Sequence, residues 1–321
     1  MRTHPIATRL LILFTSGCVC GLVATAPNGA VSKSQFGLAM QSPSPTPRPL
    51  NGSLPAVSPD AWEIAFISNR SGADDIYVIS ANGRNERNIT NSPDAEAAVA
   101  WTNDGRPAFS IFKDGLSHFY VMDRDGKNRR ELAQVPGRAV TLSPDGKRLL
   151  YMGGTWTASR LTISNADGSN PKEITDGSSI AWNSRWSPDG KMIAFTGRDD
   201  PKGELAVFLM NADGSSLRHF THVPAEEGGA QGGRWSPDGK RLAFQVNSRT
   251  QKGSAHVWII DLATGAMRKL APHNEAYLDE TPSWFPDGKH LAFQSNRTGT
   301  MEVWVMNDDG SGARQVTGKN Q

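Results

Sequence analysis

Six aspartates recur along the chain, at Asp60, Asp104, Asp145, Asp189, Asp238 and Asp287. Carboxylates serve as general acids and bases and as ligands for hard cations, so a regular series of them first suggests that chemistry. Their setting points elsewhere. Asp145 lies in Ser143-Pro144-Asp145-Gly146-Lys147, and the same five residues return at 187–191 and 236–240. Phe285-Pro286-Asp287-Gly288-Lys289 is a fourth copy. Thr102-Asn103-Asp104-Gly105-Arg106 and Ser58-Pro59-Asp60-Ala61-Trp62 are looser ones. Proline presets φ for the second position of a type I turn, aspartate suits the third, and glycine takes the left-handed place after it. The aspartate spacings are 44, 41, 44, 49 and 49 residues, a period that means stacked or radially repeated units. Six copies spread around a ring do not converge on one point. The motif is therefore a hairpin turn.

The remaining candidates for chemistry are scattered. His118, His219, His222, His256, His273 and His290 fall in several repeats without tight metal spacing. His219 and His222 lie three apart on or just after a strand, where that spacing sends side chains to opposite faces. There is no G-x-S-x-G elbow and no H-E-x-x-H. Asp123–Asn128 and Asn307–Gly310 loosely resemble calcium loops but lack the distant bidentate glutamate, so they read as hairpin turns. No catalytic residue, metal or cofactor is expected, and a binding protein is favoured over an enzyme.

Each turn is followed by one grammar. An apolar run such as Met192-Ile193-Ala194-Phe195 comes first. After a polar loop, often opened by Asn-Arg, comes a second run such as Val303-Trp304-Val305-Met306. A Gly turn and a short run ending in Thr, such as Gln315-Val316-Thr317, complete it. These runs are β-branched and aromatic, four to eight long, and bounded by turn residues. With the strand before each turn they give four strands per repeat, a to d. The expected fold is all-β, a six-bladed β-propeller of four-stranded antiparallel blades. Trp101, Trp186, Trp235 and Trp284 stand just before the turn, with Val57 and Leu142 in their place elsewhere; they should pack between blades. Repeat 1 begins at strand a and repeat 6 ends at strand d, so no shared closing blade is evident. A strand from the Val31–Met40 region is one candidate for closing the ring.

In such a ring the a–b and c–d turns share one face, and both are stereotyped. The variable loops share the other: 91–97, 133–138, 176–185, 222–233 and 271–281. Recognition favours variable loops on a rigid scaffold. Their polar content includes Glu226, Glu227, His273 and Glu275. The candidate binding residues at the channel mouth and on this face are Glu96, Arg138, Trp182, Arg185, Gln231, Asp279 and Glu280. The Gly-rich run 228–233 reads as a loop that admits a partner backbone or is simply flexible.

Residues 1–26 have the form of a secretory signal: Arg2 and Arg9, an apolar stretch from Leu10 to Ala24, and Ala24-Thr25-Ala26. Cys18 follows Gly17, but Thr15 stands where a lipobox wants an aliphatic residue. Cleavage, retention as an anchor and lipidation are the three outcomes. Residues 27–56, with Ser42-Pro43-Ser44-Pro45-Thr46-Pro47-Arg48-Pro49, form a linker, and 57–321 the propeller. Both cysteines lie in the signal, which leaves no disulfide framework. Without Arg2 and Arg9 the basic and acidic residues balance, so nothing suggests a nucleic-acid partner, and the membrane is reached only through an N-terminal anchor. The expected product is a periplasmic or secreted monomer.

Trp-Ser-Pro-Asp-Gly-Lys, then Ile/Leu-Ala-Phe, Ser-Asn-Arg, Val-Trp-Val-Met-Asn, Asp-Gly-Ser and Val-Thr: this grammar resembles the TolB-type propeller repeat throughout 57–321. The resemblance implies a propeller that binds other envelope proteins, in the family the peptidoglycan-associated lipoprotein. The α/β domain that precedes the propeller in TolB has no counterpart before Val57, which puts a place in a Tol–Pal system in doubt. Propellers of this type also include pectin-fragment lyases. A carbohydrate-active enzyme acting on uronide fragments is thus the alternative.

Overall fold

A computed structural model describes residues 52–155, 158–178, 180–198, 203–270 and 277–318. The expected signal, most of the linker, the Val31–Met40 segment, His273 and Glu275 lie outside the described residues. Six four-stranded antiparallel sheets follow one another. Blade 1 is β1 (Ser53–Val57), β2 (Glu63–Ser68), β3 (Asp75–Ser80) and β4 (Arg87–Asn88). Blade 2 is β5 (Glu96–Trp101), β6 (Pro107–Lys113), β7 (Leu116–Val121) and β8 (Arg130–Val135). Blade 3 is β9 (Arg138–Leu142), β10 (Arg148–Gly154), β11 (Ser159–Asn165) and β12 (Lys172–Glu173). Blade 4 is β13 (Ala181–Trp186), β14 (Met192–Gly197), β15 (Ala206–Asn211) and β16 (Arg218–His219). Blade 5 is β17 (Glu227–Trp235), β18 (Arg241–Ser248), β19 (Ala255–Asp261) and β20 (Met267–Lys269). Blade 6 is β21 (Asp279–Trp284), β22 (His290–Ser295), β23 (Glu302–Asn307) and β24 (Arg314–Gln315). This is the expected six-bladed all-β propeller.

The repeat motif does what its composition dictates. In blades 3, 4 and 5 the glycine amide donates to the serine carbonyl (Gly146 to Ser143, 2.9 Å), closing the turn. The serine hydroxyl donates to the aspartate (Ser187 Oγ to Asp189 Oδ1, 2.6 Å) and accepts the amide five residues on (Met192, 2.9 Å). These bonds hold the aspartate carboxylates below the usual range. The threonine that ends a repeat has an equally local task. Thr90, Thr175, Thr221 and Thr317 each accept the second or third amide of strand c at 2.9 Å, where the short strand d has run out.

Apolar residues collect between blades, with one cluster at each of the six junctions. The tryptophans lock these junctions. Trp101, Trp235 and Trp284 donate Nε1–H to Ala56, Arg185 and Arg234 carbonyls of the preceding blade at 2.8, 3.3 and 3.1 Å. Arg148 and Arg241 lie over the rings of Trp186 and Trp284 at 4.5 and 4.7 Å. Trp186 and Trp284 are buried and Trp235 is partly so.

Among the described residues the ring closes on complete four-stranded blades. Blade 1 supplies its own strand a, and β1 opens at Ser53, inside the segment read as linker. Blade 6 is complete from consecutive sequence. The two meet face to face: Ile64, Phe66, Tyr77 and Ile79 pack on Phe285, Val303, Val305 and Val316. Polar contacts across the seam include Gly52 N to Met301 O (3.1 Å), Leu54 N to Gln294 Oε1 (2.9 Å), Val57 N to Ser283 Oγ (3.1 Å) and Arg314 Nη2 to Ala81 O (2.8 Å).

Candidate functional site

Strand a of every blade carries a register shift, and this bulge organises the channel. Six residues before the turn aspartate, Leu54, Ala139, Asn183, Gly232 and Thr281 take positive φ of 52°, 54°, 50°, 75° and 50°. An extra residue in one strand turns its neighbours and increases local twist. Side chains of the preceding blade catch the displaced amides: Thr196 Oγ1 accepts from Gly232, Gln245 Oε1 from Thr281, and Gln294 Oε1 from Leu54.

The seven candidate residues fall into three environments around this bulge. Glu96 and Asp279 occupy the same place in their repeats, and both are buried. Asp279 is clamped by Arg297, whose Nε donates to Oδ1 at 3.1 Å and whose Nη2 donates to Oδ2. The Arg297 guanidinium also lies 4.5 Å over the Tyr277 ring. The Asn-Arg pair of the sequence is here a clamp between elements.

Glu96 Oε2 lies 3.1 Å from Thr90 Oγ1, which lies 3.0 Å from Asp75 Oδ1 and accepts the Ile76 amide. Burial pushes the Glu96 carboxyl up to about 7, with the Asp75 charge adding and the Thr90 bond opposing. Burial also works to raise Asp75, but bonds from Ser71, the Ser92 amide, Asn88 and Thr90 outweigh it and hold Asp75 low. One hydroxyl proton cannot serve both carboxylates. A protonated Glu96 donating to Thr90, which donates to Asp75, satisfies all three.

Glu280, Gln231, Trp182 and Arg138 share the next position. Glu280 is buried and accepts from Gln294 Nε2 (2.9 Å) and Gln245 Nε2 (3.4 Å); burial, then the neighbouring Asp279, raises its pKa against those bonds. Gln231 is buried in β17. Trp182 is partly buried and packs against the core between blades 3 and 4. Arg138 reaches the surface and lies 3.3 Å over the ring of Phe112, which is 39% exposed. Arg185 belongs elsewhere, at the turn end of β13.

Two further expectations need correction. The Gly-rich run is not a loop: residues 227–235 form β17, and its glycines admit close neighbours. A Cβ on Gly229 would stand 2.7 Å from Leu205 Cβ, and one on Gly233 2.9 Å from Val207 Cγ1. His219 and His222 do not diverge. Their rings stack with centroids 4.5 Å apart, because the chain leaves β16 at His219 and strand alternation ends there.

Sequence reasoning missed the cavity on the stereotyped face. A space of about 640 Å³ runs from the bulge residues to the turn prolines Pro59, Pro144, Pro188, Pro237 and Pro286. Trp101, Trp186, Trp235 and Trp284 contribute to its wall, and Arg185 and Arg234 are its charged residues. Desolvation lowers the Arg234 guanidinium to about 10, which leaves it cationic at neutral pH. Trp62 also lies on this face, 74% exposed, where the other copies carry Lys or Arg. Alignment of the six copies would have shown both departures.

The TolB beta propeller domain profile matches residues 153–321. Among solved structures, TolB from Acinetobacter baumannii is similar with a TM-score of 0.68 and 21% identity, over 80% of this chain and 64% of that one. The chain thus spans less than two thirds of that relative. A putative TolB from Agrobacterium tumefaciens gives 0.60 and 22%, over 72% and 84%. An oligogalacturonate lyase in complex with manganese gives 0.56 and 18%, over 84% and 77%. At these identities the likeness is one of fold. The matched profile covers more than half of the sequence, and the blades before it repeat the same pattern: the chain belongs to the TolB beta propeller domain family.

Proposed function

We propose that this chain is an exported, non-catalytic binding propeller that captures a protein partner in the cell envelope over its variable-loop face. The observation that carries this reading is the Arg138–Phe112 pair. A guanidinium over a part-exposed aromatic ring combines charge, planar donors and apolar area, a combination favoured at interface hot spots. The carboxylates expected at the mouth are engaged by the frame itself, Asp279 by Arg297 inside blade 6, Glu280 by Gln294 of blade 6 and Gln245 of blade 5, and Glu96 by Thr90 at the end of blade 1, so they serve the scaffold that presents this pair.

The peptidoglycan-associated lipoprotein is the partner the family suggests. Surface plasmon resonance between the purified propeller and that lipoprotein from the same organism tests the reading. The double change Arg138→Ala, Phe112→Ala should weaken binding by about tenfold or more while leaving the melt nearly unchanged. No binding by the parent protein, or equal binding by the variant, would count against it. Export is checked by mass spectrometry, with a mature N-terminus between Ala26 and Ala30 expected. The uronide-lyase alternative rests on fold likeness alone.

A further inference from the structure

The channel cavity goes beyond that reading, because it opens on the opposite face. Its charge follows from one position of the repeat, the residue before the tryptophan position. The six blades place there Ala56, Ala100, Thr141, Arg185, Arg234 and Ser283. Four are small, and two adjacent blades supply arginine. Long cations on one side thus face small residues on the other, and the difference is open space. Both arginines are held by their backbones: Trp235 and Trp284 of the next blades donate to the Arg185 and Arg234 carbonyls.

No carboxylate of the described residues lines this cavity. Arg185 Nη1 donates to the Ser184 carbonyl at 2.8 Å, which engages one of its five N–H groups. Most other polar groups of the wall are already committed. Gln245 accepts from Thr281 and donates to Glu280, Ser283 accepts from Val57, and Asn103 donates to the Pro144 carbonyl. A sugar would bring many hydroxyls to a wall with few partners left, at a desolvation cost for each. A ligand with one anionic head and an apolar body meets both requirements. Guanidinium forks match a planar carboxylate with paired hydrogen bonds, and the prolines, alanines and indole edges take the body. The volume lies in the range of small-ligand sites.

We propose that this cavity is a binding site for a carboxylate on an apolar body, held by Arg185 and Arg234. The same chemistry can come from the C-terminus of a short peptide or from a medium-chain fatty acid. Isothermal titration calorimetry on the full mature chain separates them, with N-acetyl-Ala-Pro-Ala and octanoate as probes and the C-terminal amide of the same peptide as control. At least one acid should bind, and the corresponding amide should bind about tenfold or more weakly. Arg185→Ala with Arg234→Ala should lose about tenfold or more while the melt is retained, since Ala56 and Ala100 already occupy this position in other blades. Should the double variant fail to fold, added salt on the parent protein gives the same answer, because screening must weaken a charge-led site. The site is refuted if neither acid binds, if acid and amide bind alike, or if affinity survives both the arginine changes and high salt. Arg138 and Phe112 are untouched by these changes, so lipoprotein capture succeeds or fails independently.

Discussion

Ala61 is the one turn residue at its position that is not glycine, and it shows what the motif requires. It has φ of 63°, while Gly105, Gly146, Gly190, Gly239 and Gly288 at the same position range from 65° to 79°. A Cβ in the left-handed region meets the carbonyl and costs about 1–2 kcal/mol, part of which glycine returns as unfolded-state entropy. Ala61→Gly should stabilise the protein by about 0.5–1 kcal/mol, and Gly146→Ala should destabilise it by a similar amount. Denaturant midpoints read both signs. Glu96 supplies a second residue-scale test. The folded chain holds its proton up to about 7, whereas the ordinary value is 4.5. Between those values the folded state binds more protons than the unfolded one, so stability falls as pH rises and the loss is complete above about 7. Glutamine carries no such proton. Glu96→Gln should therefore gain on the parent through that window, reaching roughly 1–3 kcal/mol in urea titrations above neutrality. His256 acts in the other direction. Burial, then Lys269 and Arg297, lower it to about 4 from 6.5, so it removes stability as pH falls from 6.5 toward 4. Comparing parent and variant at each pH isolates Glu96.

The elements divide into those the sequence declares and those it hides. Strands b and c alternate or run apolar between clear turn residues, and their limits were legible. The start of strand a was not. Its bulge interrupts the alternation, and in blade 5 it coincides with Gly228-Gly229-Ala230-Gln231-Gly232-Gly233, a composition that reads as a loop. The cause is close approach of blade 4, which a single sequence does not display. Glu96, Asp279 and Glu280 read as channel-mouth acids because strand pairing and the approach of the neighbouring blade, which bring Thr90, Arg297 and Gln294 onto them, are not visible in the linear sequence. The two kinds of glycine in β17 should respond differently. Gly229→Val would drive its Cβ against Leu205 and should cost about 1–3 kcal/mol. Gly232 has open space around its missing Cβ, and Asn183 holds the equivalent position in blade 4 at φ 50°. Gly232→Asn should change stability by less than about 1 kcal/mol. Equal losses at the two sites in chemical denaturation would reject this account of the run.

At the scale of the whole ring, each blade is built from consecutive sequence and each junction from one apolar cluster, so the seam between blades 6 and 1 resembles the others apart from Val57 at the tryptophan position and the missing covalent link. Stability in such an array is a sum of blade and nearest-neighbour terms. The seam's ends lie together: a Cβ on Gly52 would stand 3.1 Å from Thr317 Oγ1 and 2.9 Å from Val303 Cγ2. A short Gly-Ser linker can therefore join residue 318 to residue 52. A circular permutant of 52–318, opened between blades 3 and 4 near residue 178, moves the break from one junction to an equivalent one. It should fold to the same strand content and melt within a few degrees of the unpermuted 52–318 fragment. A permutant opened inside blade 3, at the turn between β11 and β12, splits a sheet and should melt lower than either. If closure instead required a strand from upstream of Gly52, neither the fragment nor the first permutant would give a cooperative melt. If the native seam were special in itself, the fragment would melt normally and the first permutant would not. The expected order places the fragment and the first permutant together and the blade-splitting permutant below them.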